Sequence, residues 1–135
     1  MRPLVPWLWL AGAVHLVIVL VNFILPRKLR CRENLVGVSP MIREVFVVHW
    51  IYIVFVLTVF ASLCFGFAPE LAGASRLGHY LSVVMAAFWL PRVPIQLFFY
   101  DPIIRRQNRL ADVTFTLAFS YLGVVFSLAA LRALP

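Results

Sequence analysis

Acidic side chains are scarce in this chain: five Asp and Glu stand against twelve Lys and Arg, and charged residues of both signs fill only 13% of 135 positions. Soluble domains carry about 25% charged residues, so an ordinary water-facing surface is excluded. Cysteine is scarce too. The two present, Cys31 and Cys64, form no CxxC pair and have no His or Cys at ligand spacing, which argues against a zinc site or a thiol redox centre. Long polar stretches are missing, which leaves no segment for a soluble domain, and no internal repeat is visible. What fills the chain is apolar: 64% of residues, with a mean hydropathy of +0.98, against about 45–50% in soluble proteins.

The apolar residues fall into four blocks, residues 7–25, 45–67, 79–100 and 111–131. Each is close to the roughly 20 residues that cross about 30 Å of hydrocarbon as a helix. The chain therefore reads as an all-α polytopic membrane protein, a four-transmembrane-helix bundle forming one integral membrane domain over 1–135. Arg2 and the run Ala11-Gly12-Ala13 resemble the two ends of a cleavable leader. The apolar run nevertheless continues to Leu25, and a cut there would discard half of a good span.

Charge placement predicts orientation. Arg27, Lys28, Arg30, Arg32 and Arg43 cluster after the first block, and Arg105, Arg106 and Arg109 cluster before the fourth, whereas the 68–78 loop holds only Arg76. The positive-inside rule puts loops 26–44 and 101–110 in the cytoplasm and both termini outside. A bacterial cell (inner) membrane is the expected location. The formal charge of +7 thus sits where anionic headgroups of the lipid bilayer meet the protein, and no nucleic-acid partner is expected. Cys31 and Cys64 then lie about 30 Å apart, beyond disulfide reach.

Local signals mark the helix ends. Ser39 with Pro40, and Asp101 with Pro102, each suit an N-cap followed by proline in the first turn. Residues 88–101 read FWLPRVPIQLFFYD, an arginine between two prolines within a spanning block. Stopping the third helix at Leu90 would leave too few residues to cross, so Pro91 and Pro94 fall inside it and kink it. The carbonyls of Ala87 and Leu90 lose their usual donors, and Arg92 and Gln96 are the expected replacements.

Depth groups the polar residues. Counting 1.5 Å per residue from the cytoplasmic helix ends puts Gln96, Asn22 and His49 about 6–8 Å into the core, Arg92 and Tyr52 at about 12 Å, and His15 at about 16 Å. With Asp112 they make a candidate polar pocket open to the cytoplasm, because such groups in a membrane either satisfy one another or line a wet cavity; the alternative for Asp112 is a solvated boundary residue or a partner for Arg105 or Arg109. Snorkelling alone would account for Arg92 but not for its flanking prolines. On the fourth helix Thr116, Ser120, Gly123 and Ser127 continue a small, polar stripe from Asp112, suited to close helix packing. On the second, Thr58, Ser62 and Gly66 form another such stripe. Nine residues separate His49 from Thr58, which puts them on opposite faces; with His49 inward, the Thr58 stripe looks outward, toward a homodimer or a larger membrane partner.

The expected function is a binding or accessory role for a lipid-soluble ligand or a membrane partner. One alternative is a membrane enzyme on a lipid, isoprenoid or quinone, with His49 as acid/base and Arg92 orienting the substrate. A haem b carrier using His15 and His49 is disfavoured by their depth difference of about 8 Å. In length the chain resembles the small four-helix multidrug exporters. Those use a glutamate embedded in the first helix, where this chain offers His15 and no carboxylate, so the resemblance stops at size.

Overall fold

The computed structural model describes residues 4–28, 36–73, 75–100 and 102–132, and every regular element among them is helical. The order is α1 (Val5–Lys28), α2 (Pro40–Gly66), α3 (Ala68–Ala72), α4 (Arg76–Trp89), α5 (Arg92–Pro94), a π-helical segment (Ile95–Phe99), α6 (Pro102–Gln107) and α7 (Arg109–Arg132). Four stretches are long and apolar enough to cross a membrane: Val5–Ile24, Pro40–Gly66, Arg76–Phe99 and Arg109–Leu131. The all-α four-helix bundle expected from the sequence is the fold observed. The short α3 differs from the sequence expectation of a loop over 68–78.

Capping follows the local sequence. Ser39 accepts the Ile42 N–H at 3.4 Å with Pro40 in the first turn of α2, and Ser75 accepts the Gly78 N–H at 2.9 Å to open α4. The expected Asp101 cap and the Cys31 position lie outside the described residues.

Two pairs of helices build the bundle. α1 lies along α2 and α4 lies along α7, and the pairs meet mainly where α1 touches α7. The buried positions recur at helical spacing: Leu4, Leu8, Ala11, His15 and Ile18 on α1 and its leading turn, and Phe119, Leu122, Phe126 and Ala129 on α7. In lipid the apolar effect favours no helix contact over another, so close fit and hydrogen bonds decide which helices pair. Gly12 shows such a fit: a Cβ there would lie 2.9 Å from the Phe65 ring of α2. Gly123 does the same for the other pair, because a Cβ would come within 2.8 Å of the Leu90 side chain.

One end of the bundle is stoppered. α3 touches all four long helices; its Ala68, Leu71 and Ala72 are buried, and its Leu71 carbonyl accepts the buried Ser82 hydroxyl at 3.3 Å. At the opposite end α2 diverges. Its only fully buried residues, Leu57, Ala61 and Cys64, belong to its last three turns.

The proline pair bends the third span as expected, though the hydrogen bonds differ. Leu90 N–H still reaches the Ala86 carbonyl at 2.8 Å, after which Val93 N–H takes the Leu90 carbonyl at 3.2 Å, a tighter three-residue step. The chain then widens into the π-helical segment and leaves it extended at Tyr100, with ψ 148°. The expectation that Arg92 and Gln96 serve freed carbonyls is therefore corrected for Leu90, whose own helix supplies the donor. A different carbonyl, that of Leu97, is taken by Arg105 Nη1 from α6.

Candidate functional site

A cavity of about 570 Å³ lies between the helix pairs, on the side away from α3. It exists because α2 follows α1 and does not close onto α4 or α7 at this level. The walls nearer the bundle centre are apolar: Ile18 of α1, Ile53 and Leu57 of α2, Trp89 of α4, and Phe115 and Phe119 of α7. The end nearer α6 is polar, with Asn22, Arg92, Gln96, Tyr100, Arg105 and Asp112. Asn108 lies there as well.

The polar end is organised around the Asp112 carboxylate. Arg105 approaches it as a fork, Nε donating to Oδ1 at 2.9 Å and Nη2 to Oδ2 at 3.1 Å. Gln96, only 8% exposed, donates Nε2 to the same Oδ1 at 2.9 Å. Such two-point pairing fixes direction as well as charge. It clips α6 back onto α7, and Arg105 holds the π-helical segment through Leu97 as well. The bond to Asp112 pushes Arg105 above its ordinary value, so the guanidinium stays charged.

Arg92 is arranged otherwise. Its guanidinium carbon sits 4.9 Å from the centroid of the Phe119 ring, a residue 4% exposed, and Nη1 donates to the Tyr100 hydroxyl at 3.5 Å. Stacking on a core ring turns the head inward, so it does not snorkel along the helix toward headgroups. Phe119 is itself in offset stacking with Trp89, at 5.5 Å, and with Phe115, at 5.8 Å. Trp89 is pinned from behind: its indole Nε1–H donates to His15 Nε2 at 3.0 Å, while His15 Nδ1 donates to the Ala11 carbonyl at 2.7 Å. A carbonyl can only accept, so the His15 proton is on Nδ1 and the ring is the neutral tautomer.

The structure thus brings Asn22, Arg92, Gln96 and Asp112 of the predicted set to one cavity. His15 is buried directly behind it as a structural bridge, with both nitrogens engaged. His49 and Tyr52 are corrections: both are exposed, Tyr52 by 65%, and neither lines the cavity. Depth along a helix does not give direction around it. Here α2 is held at this level by Trp50, whose Nε1–H donates to the Asn22 carbonyl at 3.0 Å, and His49 merely donates Nδ1–H to its own Val45 carbonyl at 2.8 Å. The acid/base role pictured for His49, and its pairing with His15 around a haem, lose their geometry. Among the described residues no group of three His, Cys, Asp or Glu stands together.

The small-residue stripes divide as well. Gly123 packs against Leu90 and Thr116 bonds to the Asp112 carbonyl at 2.8 Å, with Ser120 half-buried beside them. Thr58, Ser62 and Gly66 are exposed on the outer face of α2, and the two hydroxyls turn back to the Val54 and Val59 carbonyls at 2.8 and 2.7 Å. Trp89, Tyr100 and Arg105 were missed as site residues. Tyr100 and Trp89 had an apolar context, and Arg105 was read only as one of two partners for Asp112, seven residues on, and not as part of the pocket.

No protein-family model, curated protein or solved structure matches this chain.

Proposed function

We propose that this protein is a membrane binding protein that holds one amphipathic, lipid-soluble ligand in the cavity between its helix pairs. The observation that carries this is the division of the lining, apolar walls toward the bundle centre and a polar end at α6. Its volume, about 570 Å³, falls within the roughly 300–1,000 Å³ of small-molecule sites. Such sites combine apolar walls with a few placed polar groups, which is the pattern here. The basic residues flanking α1, α2 and α6 support a cytoplasmic position for the polar end. A ligand head would then sit at the level of the inner-leaflet headgroups, with its tail between α2 and α7.

The test is what stays bound on extraction into nanodiscs. Mass spectrometry of the native protein should find one amphipathic molecule per chain, and Ile53→Trp, which fills the apolar wall, should abolish its retention without lowering helicity or melting temperature. Equal retention by Ile53→Trp, or none by the native chain, refutes the proposal. Orientation is checked by labelling single Cys substitutions in a Cys-free background: residues 68–78 should react from outside and residues 103 and 106 should not.

A further inference from the structure

Resting on that binding role, we infer that the ligand is a single-chain amphipathic anion, with its carboxylate or phosphate on Arg92. The charged groups of the lining are Arg92, Arg105 and Asp112, two positive and one negative. Asp112 is taken by Arg105 through both oxygens, at 2.9 and 3.1 Å, and by Gln96 at 2.9 Å. That leaves Arg92 without a carboxylate among the described residues.

A guanidinium offers five N–H donors. Arg92 has the Phe119 face at 4.9 Å and one long contact, 3.5 Å, to the Tyr100 hydroxyl, near the far limit for a hydrogen bond. Cationic side chains within a span are costly unless paired, and their partners mark ligand pathways. The guanidinium lies over Phe119 and lines the cavity, so a ligand head there can reach its N–H donors, and a carboxylate or phosphate is the group that a guanidinium takes by two parallel bonds. Tyr100 supplies a hydroxyl donor at the same place.

Arg105 serves as the internal comparison. It shows what a guanidinium does in this site when a carboxylate is present: it forks it. Arg92 has the same chemistry and a cavity where the carboxylate would be.

Volume sets the rest of the molecule. At about 30 Å³ for a water-sized group, a cavity of about 570 Å³ holds on the order of 19 non-hydrogen groups. That is one chain of fatty-acid length with a small head. A complete two-chain phospholipid would leave its second chain outside the cavity. The tail meets Ile18, Ile53, Leu57 and Phe115.

The experiment uses the full chain, stripped of endogenous lipid, in zwitterionic nanodiscs, with hexadecanoate, hexadecyl phosphate, hexadecanol and hexadecyltrimethylammonium as probes read by native mass spectrometry. Both anions should bind tighter than the alcohol by about tenfold or more, the scale of one charge-assisted hydrogen bond. The cation should bind weakest, and the order of the two anions separates a carboxylate from a phosphate ligand. Arg92→Gln should erase the preference for anions while alcohol binding persists, and Arg92→Lys should retain part of it. If the alcohol binds the native chain as well as the anions do, the inference fails and the binding role stands. If all four probes fail to bind, or bind Ile53→Trp unchanged, the binding role fails with it. Should Arg92→Gln not fold, Arg92→Lys carries the test alone, and an anion preference as large as that of the native chain overturns the inference.

Discussion

The two ends of this bundle are built on opposite principles. At the α3 end the pieces are small, apolar and fully covered: Leu8, Leu71, Met85, Leu122 and Phe126 are all at or near zero exposure. At the α6 end the helices part, the third span unwinds through two prolines, and charged groups stand in for close packing. The lesson is that a membrane bundle of this size can be closely packed at one end and open at the other. Packing loss should therefore hurt at the first end, and loss of charge or hydrogen bonds should matter at the second.

The largest contrast is expected from cavity-forming substitutions. Phe126→Ala removes a fully buried ring and should destabilise the protein by about 3–5 kcal/mol. Phe115→Ala removes a half-buried ring that already borders the cavity and should cost clearly less. Unfolding in mixed micelles compares the two. Equal losses would mean that the open end is as tightly packed in the bilayer as the closed one.

Next in size is the join between the two ends, the bond from Trp89 to His15. His15→Leu leaves the buried indole N–H without its acceptor and should cost about 1–3 kcal/mol. Trp89→Phe in the same chain removes the orphaned group and should recover part of the loss. The coupling between the two sites should fall near 0.6 kcal/mol and no higher than about 1.7, the range met in membrane proteins. Strict additivity would show the bond to be incidental.

At the open end the effect should appear in local motion. Arg105→Leu removes the bonds to Asp112 and to the Leu97 carbonyl together and leaves Asp112 with Gln96, so amide exchange should rise across the π-helical segment and α6. Arg106→Leu, an exposed neighbour, should leave exchange unchanged. Matching behaviour in the two variants would show that the fork does not hold this end.

How much of this was legible in the sequence follows the same division. The four spans, the Ser39 cap and the kink at Pro91 and Pro94 were readable because hydropathy, capping and proline act on neighbours in the chain. So was the grouping of Asn22, Arg92 and Gln96, which line one cavity. What could not be read was direction and pairing. His49 was assigned inward from its depth alone, and it is exposed because α2 packs along α1 and leaves that level of the bundle open. Arg105 was expected among headgroups, where water replaces its contacts. Its pairing with Asp112, seven residues on, was one of two the sequence offered, but the two-point fork depends on how α6 turns back against the start of α7.

The smallest effects belong to the outer face of α2, where neither principle operates within one chain. Thr58 and Ser62 bond only to their own helix, and a Cβ on Gly66 would meet nothing within 4 Å. Ser62→Leu should therefore change the stability of the single chain by no more than about 0.5 kcal/mol. Small residues gain little from lipid but let a neighbouring helix come close, so the face still suits a second copy or a larger membrane partner. Cysteine at 62 in a background free of Cys31 and Cys64 separates the cases. Efficient disulfides between chains in native membranes, lost when Thr58→Leu is added, are expected from a helix neighbour. Their absence under oxidation that cross-links a membrane-dimer control would assign the face to lipid.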